Sequence, residues 1–271
     1  MNLVNGKPNS SISIFDRGFL YGDGVFETIL VVNKKIINFN LHIKRLKAGC
    51  VALKIKNVDY NKLNKYILKS LTNEKNCILN INITRGTVKT RGYNIHTGAI
   101  PANIILTTSN IPSFPKINPI KGINTIFSKN ILNDNILSSV KHCNRLEQII
   151  FSKEISKKHP EIILCDKKNN IIEGVSSNIF FVKNNIFYTP KIKNCGIEGI
   201  MRSYIISKLK KNNQKIFYKD IKKKSISLYD GAFFCNSVRL IWNICSIEDI
   251  KFKPNQNIKN LIKTINSEIY E

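Results

Sequence analysis

Three prolines, Pro112, Pro115 and Pro119, fall between Ser109 and Gly122. Proline has no N–H to donate and its ring blocks a helix, so this stretch reads as a connector. It divides the 271 residues into an expected first domain at 1–111, a connector at 112–121 and a second domain at 122–271. Each half mixes strand and helix patterns, which makes the fold class α/β in the mixed (α+β) sense.

In the first half, Val25 to Val32 is β-branched and apolar, Asn33-Lys34-Lys35 makes a turn, and Ile36 to Phe39 returns, which predicts a hairpin. Asn40 is placed to cap a following helix whose face carries Leu41, Arg45, Leu46, Gly49 and Leu53. A second helix is predicted over Asn61 to Leu71, and strands over Cys77 to Thr84 and Asn103 to Thr108. The second half predicts strands at Ile123 to Phe127, Glu161 to Cys165, Asn178 to Val182, Ile186 to Tyr188 and Gly231 to Cys235. Helices are predicted near 144–157, over Met201 to Lys211, and over Gln256 to Tyr270.

The formal charge of +25 raises a nucleic-acid reading. Only seven of the 43 basic residues are arginine, and the lysines are scattered, with clusters at Lys208–Lys211 and Lys222–Lys224 placed at a helix end and in a loop. That pattern is a solvated surface, so no specific nucleic-acid partner is expected, only nonspecific polyanion binding at low salt. No apolar run approaches a membrane span, and the first residues lack a signal-peptide layout. Seven cysteines without a Cys-x-x-Cys pair suggest neither a disulfide framework nor a zinc site. The expected setting is cytoplasmic, with reduced thiols and no metal.

Lys141 and Glu173 lie thirty-two residues apart. A lysine amine able to form a Schiff base, with a carboxylate for a pyridine nitrogen, is the pair that pyridoxal 5'-phosphate (PLP) chemistry needs. In a chain this rich in lysine the pair does not identify itself. Gly196-Ile197-Glu198-Gly199-Ile200-Met201-Arg202 opens a helix with two glycines, and reads either as an anion site at a helix N-terminus or as a plain turn. Arg45 is either a phosphate ligand or a solvent-facing helical arginine; arginine is scarce here, which favours the first.

Asp16-Arg17-Gly18-Phe19-Leu20-Tyr21-Gly22-Asp23-Gly24-Val25-Phe26-Glu27-Thr28 resembles the N-terminal signature of the class IV aminotransferases, the PLP enzymes of fold type IV. His42 to Leu46, Glu173-Gly174 with Ser177 to Phe180, Tyr188-Thr189-Pro190, and Gly196 to Arg202 match the family's further motifs in order, from about Ser13 to Ser237. Among its subgroups, Lys141-His142-x-Asn144-Arg145-Leu146-Glu147-Gln148 resembles the 4-amino-4-deoxychorismate lyases. Gly199-Ile200-Met201-Arg202, Thr84-Arg85-Gly86 with Arg91-Gly92-Tyr93, and Cys235-Asn236-Ser237 do so too. Arg239 and Asn243 depart from that subgroup's pattern, which leaves the loop contacts there open.

The resemblance implies a two-domain PLP fold type IV, similar to D-amino-acid aminotransferase, with the PLP lysine in the second domain. It implies a homodimer and the conversion of aminodeoxychorismate to 4-aminobenzoate and pyruvate, a step of folate biosynthesis. By carry-over, Lys141 holds PLP and acts as base, Glu173 serves the ring nitrogen, and Arg45, Ile197, Gly199, Ile200, Asn236 and Ser237 hold the phosphate. Thr28 aligns with a proton-delivering threonine, or is a strand threonine of no special role. Arg91 and Arg145 either meet the substrate's carboxylates or pair with acidic side chains. The runner-up is a branched-chain or D-amino-acid aminotransferase of the same class. A cofactor-free binding protein is a third reading; it predicts damage at Lys141 or Glu173, and both residues are present.

Overall fold

The computed structural model describes residues 1–94, 100–113 and 118–270, which form two compact units. Unit 1 comprises Met1–Pro112 with Val140–Arg145; unit 2 comprises Ser113–Ser139 with Leu146–Glu271. The first division falls at the start of the expected connector, whose residues 114–117, Pro115 among them, lie outside the described residues. The expected second domain at 122–271 differs from this division in one consequential place: Lys141 belongs to unit 1. The reason is backbone pairing. Phe26 N–H donates to Lys141 O (3.0 Å), Cys143 N–H donates to Gly24 O (2.8 Å), and Val25 bridges His142.

Unit 1 runs β1 (Leu3–Val4), β2 (Lys7–Pro8), α1 (Arg17–Tyr21), β3 (Gly24–Val32), β4 (Lys35–Ile36), α2 (Phe39–Ala52), α3 (Tyr60–Ser70), β5 (Cys77–Thr84) and β6 (Asn103–Ser109). Its strands form one antiparallel sheet in the order β2-β1-β6-β5-β3-β4. Most of β3 is buried without alternation, as a strand covered on both faces must be. In β5, by contrast, Leu79, Ile81 and Ile83 enter the core while Asn80 and Asn82 are half-buried on the other face.

Helix α2 is capped two residues earlier than predicted, at Asn38 in place of Asn40, because Asn38 turns the chain in the left-handed region (φ 53°). The buried stripe is therefore His42, Leu46, Gly49 and Cys50, and Leu41 is exposed. The return strand stops at Ile36 for the same reason. Helix α3 is capped by Asp59, whose side chain accepts from Lys62 N–H.

Unit 2 runs α4 (Asn118–Lys121), β7 (Ile123–Thr125), α5 (Leu146–Ser152), β8 (Ile163–Cys165), β9 (Asn170–Gly174), β10 (Asn178–Lys183) and β11 (Ile186–Pro190). It continues with α6 (Ile200–Lys211), β12 (Ile216–Lys219), β13 (Ile221–Lys222), a 3₁₀ turn at Lys223–Leu228, β14 (Gly231–Asn236), β15 (Leu240–Ile247), β16 (Ile250–Lys251) and α7 (Gln256–Tyr270). One sheet has the order β12-β11-β10-β14-β15-β16, with β7 added in parallel to β15. A smaller sheet has the order β13-β9-β8. Ile179, Phe181, Ala232, Phe234, Trp242 and Ile244 lie in one buried core of the unit. Among the described residues, no helix is long and apolar enough to cross a membrane.

Candidate functional site

The signature around Asp16 to Thr28 proves to be largely scaffolding. Asp16 caps α1 by accepting from Gly18 and Phe19 N–H, and its other oxygen accepts from Thr84 Oγ1 (2.6 Å) and Asn103 Nδ2 (2.8 Å). Asp23 accepts from Arg17 Nε (2.8 Å) and from Arg85 Nε (2.7 Å) and Nη2 (2.9 Å). These buried ion pairs fix the entrance to β3.

On β3 itself, Glu27 is fully buried beneath α2. Arg45 donates to it through both Nε (2.7 Å) and Nη2 (2.6 Å), a bidentate fork. His42, one turn earlier, donates from Nδ1 to Oε2 (2.6 Å). Burial by itself would raise the Glu27 carboxyl; the bonds from Arg45 and His42 outweigh it and hold the group below its usual value. Burial pushes the His42 imidazole down, so the ring is neutral and its Nδ1 carries the proton that Glu27 accepts. Arg45 is thus an anchored guanidinium, its side chain 17% exposed.

Lys141 is half-buried, with Nζ 4.2 Å from the Phe26 ring centroid. Thr28 Oγ1 donates to Asn80 Oδ1 (3.0 Å), which orients the hydroxyl. Arg145 Nη2 donates to Val140 O (2.8 Å). Arg91 is exposed, and the neighbouring Tyr21 hydroxyl accepts from Gly92 N–H (2.9 Å). The Tyr21 hydroxyl is lowered by that Gly92 bond first, with Arg91 adding to it.

In unit 2, Glu173 is buried near the end of β9. Its Oε2 accepts from Ile197 N–H (2.9 Å), so the donor expected to reach a phosphate instead orients the carboxylate. Asn178 Nδ2 donates to Ile197 O (2.8 Å), clamping the same residue from the other side. Gly196 has φ 86°, a left-handed conformation, and a methyl there would meet Ile172 Cγ2 at 2.7 Å.

Gly199 N-caps α6 and no side chain caps the helix. Ser203 N–H bonds Gly199 O (3.0 Å), so the N–H groups of Ile200, Met201 and Arg202 precede the helical ladder. Met201 is a donor position that sequence reading missed; the helix start read off the pattern was one residue late. Arg202 is buried as a strut, donating to Thr189 Oγ1 (3.2 Å) and Pro190 O (3.0 Å). Asn236 and Ser237 stand half-buried at the end of β14. Asn236 Oδ1 accepts from Val238 N–H (3.0 Å) and Arg239 N–H (2.7 Å).

Each unit carries groups of the kind that a phosphorylated pyridine aldehyde requires. Unit 1 has the half-buried Lys141 amine and the anchored Arg45 guanidinium, and unit 2 has the buried, oriented Glu173 carboxylate and the α6 N-terminus without a side-chain cap. Among the described residues no His, Cys, Asp and Glu cluster is arranged to hold a metal ion.

The family model for amino-transferase class IV matches residues 24–247. Aminodeoxychorismate lyase from Vibrio harveyi is 25% identical over 237 residues, covering 87% of each chain. A putative branched-chain-amino-acid aminotransferase from Methanocaldococcus jannaschii is also 25% identical, over 258 residues, covering 90% of this chain and 87% of its own. The crystal structure of 4-amino-4-deoxychorismate lyase from Pseudomonas aeruginosa superposes with a TM-score of 0.94 at 26% identity, covering 99% of both chains.

Proposed function

Because this chain belongs to the class IV aminotransferase family, we propose that it is a PLP-dependent lyase converting 4-amino-4-deoxychorismate to 4-aminobenzoate and pyruvate. The observation that carries the reading is the match to the P. aeruginosa lyase over nearly all of both chains. The run Lys141-His142-x-Asn144-Arg145-Leu146-Glu147-Gln148 supports it independently of the overall fold. The aminotransferase reading shares the fold and an equal sequence identity, and the resemblance of that run is what favours the lyase.

PLP, when bound, supplies an electron sink for charge developing at the carbon it activates. Lys141 would anchor it through the amine, and the released amine would take the C4 proton of the substrate as general base. Glu173, oriented by Ile197 N–H, would hold a proton on the ring nitrogen. Arg45, the N–H groups at Gly199, Ile200 and Met201, and Asn236 with Ser237 would hold the phosphate. Loss of the C4 proton and of the enolpyruvyl oxygen at C3 leaves an aromatic ring; the departing enol takes a proton on its methylene carbon and becomes pyruvate. The Thr28 hydroxyl is proposed to relay that proton. Arg91 and Arg145 are proposed to meet the substrate's two carboxylates. The protein is proposed to work in the cytoplasm as a homodimer; its seven free cysteines agree with a reducing compartment.

The test is stoichiometry. A lyase needs no 2-oxo acid, because its cofactor ends each turn as it began. Purified protein with PLP and aminodeoxychorismate should release 4-aminobenzoate and pyruvate in equal amounts, continuously. Robust transamination of branched-chain amino acids with 2-oxoglutarate, and no 4-aminobenzoate, would establish the aminotransferase instead.

A further inference from the structure

Arg239 departs from the lyase pattern and stands in the turn joining β14 to β15, two residues after Ser237. Its Nη1 donates to Glu161 Oε2 (2.9 Å) and its Nη2 to Ser176 Oγ (3.0 Å). Its guanidinium carbon lies 4.4 Å from the Trp242 ring centroid. Glu161 has no exposed surface, so an ionised carboxylate there must be paired and hydrogen-bonded. Two turns supply the bonds. From the β9–β10 turn come Ser176 N–H (3.2 Å), Ser176 Oγ (2.8 Å) and Ser177 Oγ (2.9 Å). From the β14–β15 turn comes Arg239. Asn236 Nδ2 joins the two by donating to Ser176 O (3.2 Å) and Ser177 Oγ (3.4 Å).

We propose that Arg239 and Glu161 are positioning residues that hold the Asn236-Ser237 turn in the form that binds the cofactor's phosphate. The inference rests on the reading of the preceding subsection. Its physical core is twofold. The guanidinium fork fixes the turn geometrically, and its charge cancels a buried carboxylate that would otherwise disfavour an anion bound at the Asn236-Ser237 turn, to which Ser176 and Ser177 link it. Its Nη1 and Nη2 are engaged with Glu161 and Ser176, so this arginine acts through the turn.

The experiment titrates the full-length, cofactor-free protein with PLP and, separately, with pyridoxal, which lacks the phosphate. Binding is read from the absorbance of the bound chromophore. Arg239→Gln should weaken PLP binding about tenfold and leave pyridoxal binding within about twofold, since the unpaired carboxylate acts on the phosphate. Adding Glu161→Gln to it removes the stray charge and should recover about half of that loss on a logarithmic scale. Arg239→Lys keeps the charge without the fork, and serves if the glutamine variant fails to fold. Equal losses for PLP and pyridoxal, or a fall in melting temperature with neither affinity changed, would overturn the inference while leaving the lyase reading intact. A wild-type protein that binds neither compound would overturn both.

Discussion

Glu173 and Glu161 are both buried carboxylates, and their surroundings assign them different work. Glu161 is closed off by four donors from side chains and backbone. Glu173 is oriented by Ile197 N–H, and its proposed work is at the cofactor's ring nitrogen. Glu173→Gln should therefore leave PLP bound but lower turnover on the order of a hundredfold, because a neutral amide cannot hold the ring proton. Steady-state rates at saturating PLP test this, and near-normal turnover would show that ring protonation does not limit the reaction. His142 makes a second case at the same scale. It is buried and its Nδ1 has no hydrogen-bond partner among the described residues. Burial first, and the charge of Arg145 second, push its pKa down to about 4. The unfolded chain takes up the proton near the ordinary histidine value of about 6.5, before the folded chain does. The stability held by neutral His142 is thus complete above that value and is lost as pH falls toward about 4. His142→Gln should flatten the fall in melting temperature over that window. His42 and Glu27 keep their own acid dependence in both proteins, so superimposable profiles would refute the assignment to His142.

At the scale of elements, the start of α6 is the most constrained point. A methyl at Gly199 would lie 1.9 Å from Asn178 Oδ1, and Asn178 cannot swing away without releasing Ile197 O. Gly199→Ala should destabilise the fold by about 1–3 kcal/mol in urea unfolding. It should also weaken PLP binding, which pyridoxal controls would trace to the phosphate; unchanged values for both would mean that the helix start yields freely. Elements with a strong local pattern were legible before folding was considered. β5 coincides with its predicted span, and α7 buries Ile258, Leu261, Ile262, Ile265 and Ile269 along one face. Elements held by distant partners were not. α1 is five residues long and owes its existence to the Asp16 cap and the left-handed Gly22. α5 stops at Ser152, short of the predicted 157, and Glu154 beyond it is taken by Ser128, Lys129 N–H and Asn130. β15, eight residues long beside β14, went unassigned because its pattern Leu-Ile-Trp-Asn-Ile-Cys-Ser-Ile has no clean alternation.

For the whole molecule, the prediction concerns assembly. Helix α5 exposes Leu146, Ile149 and Ile150, spaced three and four apart, while Phe151 is buried. In the proposed homodimer a second copy would cover this apolar stripe on an otherwise lysine-rich surface. Light scattering should give a dimer, and Ile149→Lys with Ile150→Lys should shift it to monomer; an active monomeric wild type would refute the arrangement. The sequence alone carried the family: the motifs holding Arg45, Lys141, Glu173 and Gly196 to Arg202 match the class IV aminotransferases in order, whereas spacing and composition by themselves left the lysine, the arginine and the glycine turn open. It also determined the strands and helices whose burial is periodic, because periodicity is a property of neighbours in the chain. Only the tertiary structure decided that Lys141 pairs with β3, that Arg45 leans on Glu27, that Ile197 serves Glu173, and that Arg239 closes on Glu161. Each of those links joins residues between 18 and 115 positions apart, or buries a charge whose partner is far along the chain, and no local pattern encodes such a pairing.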